Sequence, residues 1–352
     1  MNSENIGIGI VGIGGYGATY PRTLKNINFS SMQGVCDINE DAANAFSKEH
    51  KIPSVYTDFK EMLKNPEIDV VFIATPHYLH YSMVIDSLQA GKHVFCEKPL
   101  ALNYEEASEM AQTAKDLGLI LTCHYNQRLA AQVKALKDMV AKGTLGDVYH
   151  ANVTWMARFT RFMFDESRSW RVSREQAGGG ILIGRGSHLL DAIWYVLGKP
   201  RVKTVYASIT SKLTGFDVDD YSFVVLTLEN GSTVHLECSY EANTAGYFQK
   251  MSYELLGTKA GATYTNVDGT ASLKVGHNEF PTNRWVDSSD RFSLETYQCA
   301  PPNSVIEDFL ESLRDGREPL ITADEAVWVT RLLDAAYLSA AENRVVELTN
   351  LN

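Results

Sequence analysis

Two groups of residues early in the chain have types and spacings suited to handling a dinucleotide and an alcohol. The first, G-I-G-G-Y-G from Gly12 to Gly17, follows an apolar strand pattern that begins at Ile6 and opens a helix pattern. In such a motif Gly12 permits a tight turn, Gly14 lets the main chain approach a pyrophosphate, and Gly17 lets helix and strand pack closely. The helix N-terminus then offers N–H groups and the positive end of a dipole to the phosphates. Asp37 falls 20 residues beyond Gly17, at the end of a second strand pattern, where a carboxylate accepts both ribose hydroxyls. It repels a 2′-phosphate, and Ile38 and Asn39 supply no cation to hold one, so NAD is favoured over NADP. The second group is A-T-P-H-Y-L-H, from Ala74 to His80, with Glu97-Lys98-Pro99. Both stand at strand ends, where open parallel sheets bind ligands. There Glu97 can orient Lys98, and the ammonium can bind a substrate hydroxyl and stabilise developing alkoxide charge. The same E-K-P also serves as a surface salt bridge before a turn, and histidines such as His77 and His80 serve as helix caps or core residues.

The elements that must position these groups alternate in type over the first third of the chain. Strand patterns at Ile6–Ile13, Ser31–Cys36, Val70–Ala74, His93–Cys96 and Leu119–Cys123 are separated by helical ones, which indicates βαβ units and a parallel sheet. Pro21 sits near the first helix turn, where it is either harmless or the cause of a kink. Asn103 followed by Glu106 reads as a helix start and Gly118 as a helix stop. Beyond Cys123 the pattern changes. Tyr149, Ala151, Val153 and Trp155 alternate with more polar neighbours, and further strand patterns follow at 204–211, 223–228, 233–240 and 251–257. Asn230-Gly231 marks a hairpin whose two turn residues should both take positive φ. Thr322 caps a closing helix that runs to about Glu342. The expected fold is α/β: a Rossmann domain over 1–123, then an α+β domain over 124–352 with a large, mostly antiparallel open sheet.

Composition sets outer bounds. With 45% apolar and 21% charged residues the chain is a globular protein, and 32 Lys and Arg against 43 Asp and Glu give −11. That charge repels nucleic acid and anionic membrane surfaces, so neither is expected as a partner. The five cysteines (Cys36, Cys96, Cys123, Cys238 and Cys299) include no C-x-x-C pair, so buried free thiols are expected, and no metal site. The N-terminal residues lack the pattern of a signal peptide, and no apolar run approaches the roughly 20 residues that span a bilayer, which points to the cytoplasm.

Over nearly its whole length the sequence resembles the glucose–fructose oxidoreductase, inositol dehydrogenase and MocA group. The motifs carrying the resemblance are the glycine motif, A-T-P-H-Y-L-H, C-E-K-P-L, Y-N-Q-R (Tyr125 to Arg128), S-W-R (Ser169 to Arg171), and G-G-G-I-L-I-G-R-G-S-H-L-L-D (Gly178 to Asp191), with the closing A-A-Y-L-S-A-A-E-N-R-V-V-E-L. The resemblance implies oxidation or reduction of a secondary alcohol or lactol carbon of a sugar or cyclitol, by a homodimer or homotetramer built through the large sheet. Lys98 matches the E-K-P lysine and His188 the acid–base histidine. One departure accompanies the match. The group usually carries an aspartate four residues before that histidine; here the position is Gly184, followed by Arg185.

The expected site is therefore as follows. Gly12, Gly14, Gly15, Tyr16, Gly17, Asp37, Thr75, Pro76, His77, His80, Glu97 and Lys98 hold NAD. Lys98 and His188 are catalytic, the lysine polarising the reacting oxygen and the histidine moving its proton. Arg128, Trp155, Trp170, Arg171 and Arg185 join them around the substrate, with core packing an equal reading for the tryptophans and an ion pair an equal reading for Arg185. Asp191 shares the face of His188 if that stretch is helical. Two other readings share the cofactor signal: a redox-neutral elimination or epimerisation with transient oxidation, and a non-catalytic NAD-binding sensor.

Overall fold

Short apolar runs bounded by helix caps build a parallel sheet. The computed structural model describes residues 5–158, 170–277, 290–292 and 304–348; Ser169 and Cys299 lie outside the described residues. Strands β1 (Ile6–Val11), β2 (Ser30–Cys36), β3 (Ser54–Tyr56), β4 (Val70–Ile73), β5 (His93–Cys96) and β6 (Leu121–Cys123) form a six-stranded sheet in the order β3-β2-β1-β4-β5-β6. Every neighbouring pair in it is parallel. Strands β1, β4 and β5 are buried throughout, as a sheet covered on both faces requires. The order reverses between β1 and β4, the switch point at which such sheets receive ligands. Caps fix the helices between them. The Asn103 side chain accepts the Glu106 N–H at 2.9 Å while the Glu106 carboxylate accepts the Leu102 N–H at 3.2 Å, and Gly118 closes that helix at φ +65. Pro21 lies in the first turn of the Tyr20–Leu24 helix, where a missing N–H leaves nothing unpaired.

The chain divides into two compact units, one of Met1–Tyr125 with Pro301–Arg331 and one of Asn126–Ala300 with Leu332–Asn352. The sequence boundary gave everything after 123 to a second domain; the segment from Pro301 to Arg331 instead packs with the first unit. Its Val305–Asp315 helix buries Val305, Ile306, Phe309 and Leu310 on one stripe, and Phe309 meets Phe72 and Phe95 at ring separations of 6.2 and 5.5 Å.

In the second unit β7 (Val148–Ala157), β8 (Val202–Thr210), β9 (Tyr221–Leu228), β10 (Thr233–Ser239), β11 (Gln249–Gly257), β12 (Ala260–Val267), β13 (Thr270–His277), β14 (Asp290–Phe292) and β15 (Val346–Glu347) form one sheet. Its order is β14-β13-β12-β11-β7-β10-β9-β8-β15. Only β7 and β10 pair in parallel among the described strands; the other neighbours are antiparallel. Alternation puts Val153, Trp155, Leu236, Cys238 and Tyr253 on a buried face and leaves Asn152, Thr154, His235 and Glu237 half-buried on the other. The β9–β10 hairpin forms, but its turn departs from the expected one. Gly231 (φ +85) has positive φ and Asn230 does not, because the loop runs through Glu229, Asn230 and Gly231, with Gly231 N–H bonded to Leu228 O at 3.0 Å. A three-residue loop of this kind asks for one left-handed residue, at its glycine.

The Ser187–Val196 helix is held on this sheet by a carboxylate. Asp219 accepts the N–H groups of Gly180 (2.6 Å) and Leu182 (2.8 Å) and the hydroxyls of Ser222 (2.9 Å) and Tyr337 (2.8 Å). A Cβ at Gly179 would fall on the Tyr337 hydroxyl, and one at Gly180 on the Asp219 carbonyl, so the glycine run lets the chain close around this acid. A π-helical turn, Leu182–Gly186, follows, in which Ser187 N–H reaches back to Leu182 O. Asp219→Ala strands several buried donors, each worth about 1–3 kcal/mol, and is expected to remove at least about 3 kcal/mol of stability. Urea unfolding monitored by circular dichroism checks this; an unchanged midpoint would contradict the role given to Asp219.

Candidate active site

The glycine turn of the first unit separates glycines that the fold needs from glycines that leave room. Gly12 has φ +83, donates its N–H to Cys36 O at 2.9 Å, and has Ala74 O only 2.7 Å from where a Cβ would stand. A Cβ at Gly17 would collide with the Gly12 carbonyl. At Gly14 and Gly15 nothing lies within 4 Å of the Cβ position. The open pair faces space at the switch point, and a pyrophosphate approaching main-chain N–H groups fits there. Asp37 fixes the same turn: Oδ2 accepts Ile13 N–H and Oδ1 accepts Asn39 N–H, both at 2.9 Å. Each oxygen retains lone-pair capacity for a hydroxyl donor.

At the ends of β4 and β5, Thr75, Pro76 and Lys98 are half-buried and His77 is buried. The peptide between Lys98 and Pro99 is cis. His80 is fully buried, with Nδ1 2.8 Å from Pro99 O and Nε2 3.1 Å from Thr75 O. Its ring thus joins the two loops from within, and burial holds its pKa down against the pull of those carbonyls. Glu97 is buried too. Its Oε1 accepts the Tyr20 hydroxyl and a hydrogen from His124 Nδ1, both at 2.7 Å. Burial alone would raise the Glu97 pKa; the His124 charge, the two hydrogen bonds and the Lys98 charge outweigh it, and the pKa lies below the ordinary carboxylate value. Tyr16, half-exposed, sets its ring edge on His124 at 5.4 Å. Tyr20 and His124 join Glu97 without a sequence motif to mark them. The signal was in the register: Cys96 pairs with Cys123, so the next residues, Glu97 and His124, leave adjacent strands side by side.

In the second unit His188 stands on the buried Ser187–Val196 helix, itself 8% exposed. Asp191 follows three residues later, and its carboxylate receives the Arg128 guanidinium in a two-pronged pair, Nη2 to Oδ1 at 2.6 Å and Nε to Oδ2 at 3.0 Å, with both side chains fully buried. Arg128 therefore anchors this helix from the Asn126–Leu129 turn. Trp155 is buried on β7, and the Arg185 guanidinium lies over its ring at 4.9 Å. The Arg171 guanidinium lies over the Trp170 ring at 4.6 Å. At Gly184, where the resemblance expects an aspartate, a Cβ would run into the Tyr240 hydroxyl. The phenol occupies the room an acidic side chain would need.

A Rossmann sheet with an open glycine cradle and an acid just past its second strand has the form of a dinucleotide-binding domain. Residues 6–125 match the oxidoreductase family with the NAD-binding Rossmann fold, and residues 133–263 match the GFO/IDH/MocA C-terminal domain. The chain belongs to this family. It is 29% identical to D-glucoside 3-dehydrogenase of Escherichia coli (strain K12), with 99% of each chain covered. It is 26% identical to myo-inositol 2-dehydrogenase of Thermotoga maritima, covering 97% of this chain and 98% of that one. Its fold superposes on levoglucosan dehydrogenase in complex with NADH and L-sorbose with a TM-score of 0.84, at 22% identity over 98% of this chain and 99% of that chain. Among the described residues no helix is long and apolar enough to cross a membrane.

Two experiments probe the first unit. Gly14→Ala enters open space, so it should fold normally and weaken NADH binding at least about tenfold, whereas Gly17→Ala should destabilise the protein by about 2 kcal/mol or more. Calorimetric titration beside thermal unfolding separates the two; equal behaviour of the variants would contradict the division between them. The second concerns Glu97, whose pKa is depressed on folding. A depressed carboxylate stabilises the fold above its unfolded pKa of about 4.3 and loses that contribution as pH falls through the folded value. The melting-temperature gap between wild type and Glu97→Gln should thus be full at neutral pH and close in acid below about pH 4. A gap that widens on acidification would reverse the assignment.

Proposed function

We propose that this protein is an NAD-dependent dehydrogenase or reductase acting on a hydroxyl-bearing carbon of a sugar, cyclitol or close derivative. The observation that carries the reading is the open room at Gly14 and Gly15 beside turns that Gly12 and Gly17 cannot leave. The substrate class draws on the relatives' names, a glucoside 3-dehydrogenase and an inositol 2-dehydrogenase. When bound, NAD supplies the hydride acceptor or donor at nicotinamide C4. Gly14 and Gly15 would admit its pyrophosphate, and Asp37 would take the ribose hydroxyls. The Asp37 carboxylate, with exposed Ile38 beside it, offers no partner to a 2′-phosphate, which favours NAD over NADP.

On the substrate, Lys98 donates a hydrogen bond to the reacting oxygen and stabilises negative charge there. Glu97, held by Tyr20 and His124, keeps the start of that loop in place. His188 takes the hydroxyl proton during oxidation and returns it during reduction. Arg128 and Asp191 hold the His188 helix in register, and His80 locks the loops beside Thr75 and Pro99. Trp155, Trp170, Arg171 and Arg185 form the polar and aromatic surroundings of the substrate.

Lys98→Ala is expected to lower kcat about 10²–10³-fold while NADH affinity changes far less, and His188→Ala to remove the pH dependence of kcat together with most of the activity. The assay is NADH absorbance across sugars, inositols and their keto forms, with NADP in parallel. Full turnover in Lys98→Ala would remove the lysine from the reaction. Product formed without stoichiometric NADH would replace net dehydrogenation by transient oxidation within a redox-neutral reaction.

A further inference from the structure

Arg185 is a cation in an unusual setting. It lies half-buried on the π-helical turn, three residues ahead of His188, with its guanidinium over buried Trp155 at 4.9 Å. Its Nε is buried and meets no acceptor, and no carboxylate pairs with it among the described residues. This is so in a chain where 43 acidic residues outnumber 32 basic ones. Several acids of the same region carry other bonds: Asp191 to Arg128, Asp219 to four donors around Gly180, Asp220 to the Leu213 and Thr214 N–H groups, and Glu237 to the Tyr221 hydroxyl at 2.8 Å on the other face of the sheet. Drawing a guanidinium partly out of water without a counter-charge is unfavourable, and an aromatic face returns only part of that loss. Arginine's planar fork is suited to carboxylate and phosphate oxygens.

The neighbouring groups have the same polarity. The Tyr240 hydroxyl fills the room beside Gly184, and the Tyr240 ring sets its edge on Trp155 at 5.7 Å. The Tyr253 hydroxyl is buried nearby with no hydrogen-bond partner. Burial raises the Tyr240 pKa to about 12 against the lowering pull of Arg171 and Arg185, so at neutral pH it remains a hydrogen-bond donor. Two cations therefore act on one neutral phenol, at the position where the resemblance expects an anion.

We propose that Arg185, with Tyr240 as a second donor, binds an anionic oxygen-acid group of the substrate, so that the preferred sugar or cyclitol carries a carboxylate or a phosphate. This rests on the dehydrogenase reading above and specifies its substrate class. The unpaired guanidinium on Trp155, three residues from His188, receives its counter-charge from the substrate, and a neutral sugar leaves it unpaired.

The test compares glucose and myo-inositol with gluconate, glucuronate and glucose 6-phosphate, using wild type, Arg185→Met and Arg185→Lys. kcat/KM is read from NADH absorbance, and binding from calorimetric titration with NADH present. Wild type should favour an acidic member over its neutral counterpart at least about tenfold, chiefly through KM. In Arg185→Met that ratio should fall towards one, and Arg185→Lys should restore part of it. A preference confined to carboxylates or to phosphate names the group. Equal binding of acidic and neutral members by wild type, or a preference that survives Arg185→Met, overturns the proposal. If no compound is oxidised or reduced, the dehydrogenase reading falls, and the titrations still decide whether Arg185 recognises an anion.

Discussion

Main chain packed too closely for a side chain is the constraint on which both functional regions depend. Gly12 and Gly17 bring the end of β1, the end of β4 and the first helix together without a Cβ between them. In the second unit Gly179 and Gly180 let the chain close on Asp219 and Tyr337, Gly184 lets the π-helical turn lie against Tyr240, and Gly186 leaves room for Leu182. In each region the close approach leaves a functional group at the edge of a rigid element. Open space remains at Gly14 and Gly15, and a wide turn presents Arg185 and then His188. A Cβ at Gly12, Gly17 or Gly180 would meet main chain, and one at Gly179, Gly184 or Gly186 would meet the Tyr337, Tyr240 or Leu182 side chain, so the first three positions are closed by backbone and the others by packed side chains.

Buried charge follows a different logic in the two units. Glu97 is compensated by a phenol, an imidazole and the Lys98 charge, which together overcome its desolvation. Arg128 and Asp191 answer each other with two-pronged geometry, and Asp219 collects four donors. Such arrangements strongly oppose loss of one partner, since the other is left charged and dry. Arg185, half-buried over Trp155 and with no carboxylate on it among the described residues, lacks the internal counter-charge that Arg128 has.

Much of the Rossmann unit could be read from the sequence because its signals are local. The glycine spacing, the Asn103–Glu106 cap and Gly118 each act within a few residues, and β1, β4 and β5 are continuous apolar runs. Relations between distant segments were less legible. That Phe309 returns to Phe72 and Phe95 depends on the tertiary path of the chain. That Arg128 is spent on Asp191 depends on residues 63 positions apart. The Asn230 turn was misjudged at a finer level: the dipeptide marked a hairpin, but loop length decided which residue became left-handed. Tyr20 and His124 were hidden for the same reason as Arg128, since strand register and a long-range hydrogen bond, not spacing, bring them to Glu97.

The exchange at Gly184 bears on both the packing and the charge of this region. An aspartate at that position would place a negative charge one helical turn before His188, and the Arg185 guanidinium would have a carboxylate as its immediate neighbour in sequence. With glycine there, the room goes to a phenol that burial keeps neutral against the pull of Arg171 and Arg185. Trp155 supports the Arg185 guanidinium beside it. Where Asp191 and Asp219 are answered from within the protein and Arg185 is answered by the substrate, the site gains discrimination: a neutral sugar leaves the guanidinium unpaired, and an acidic one completes it.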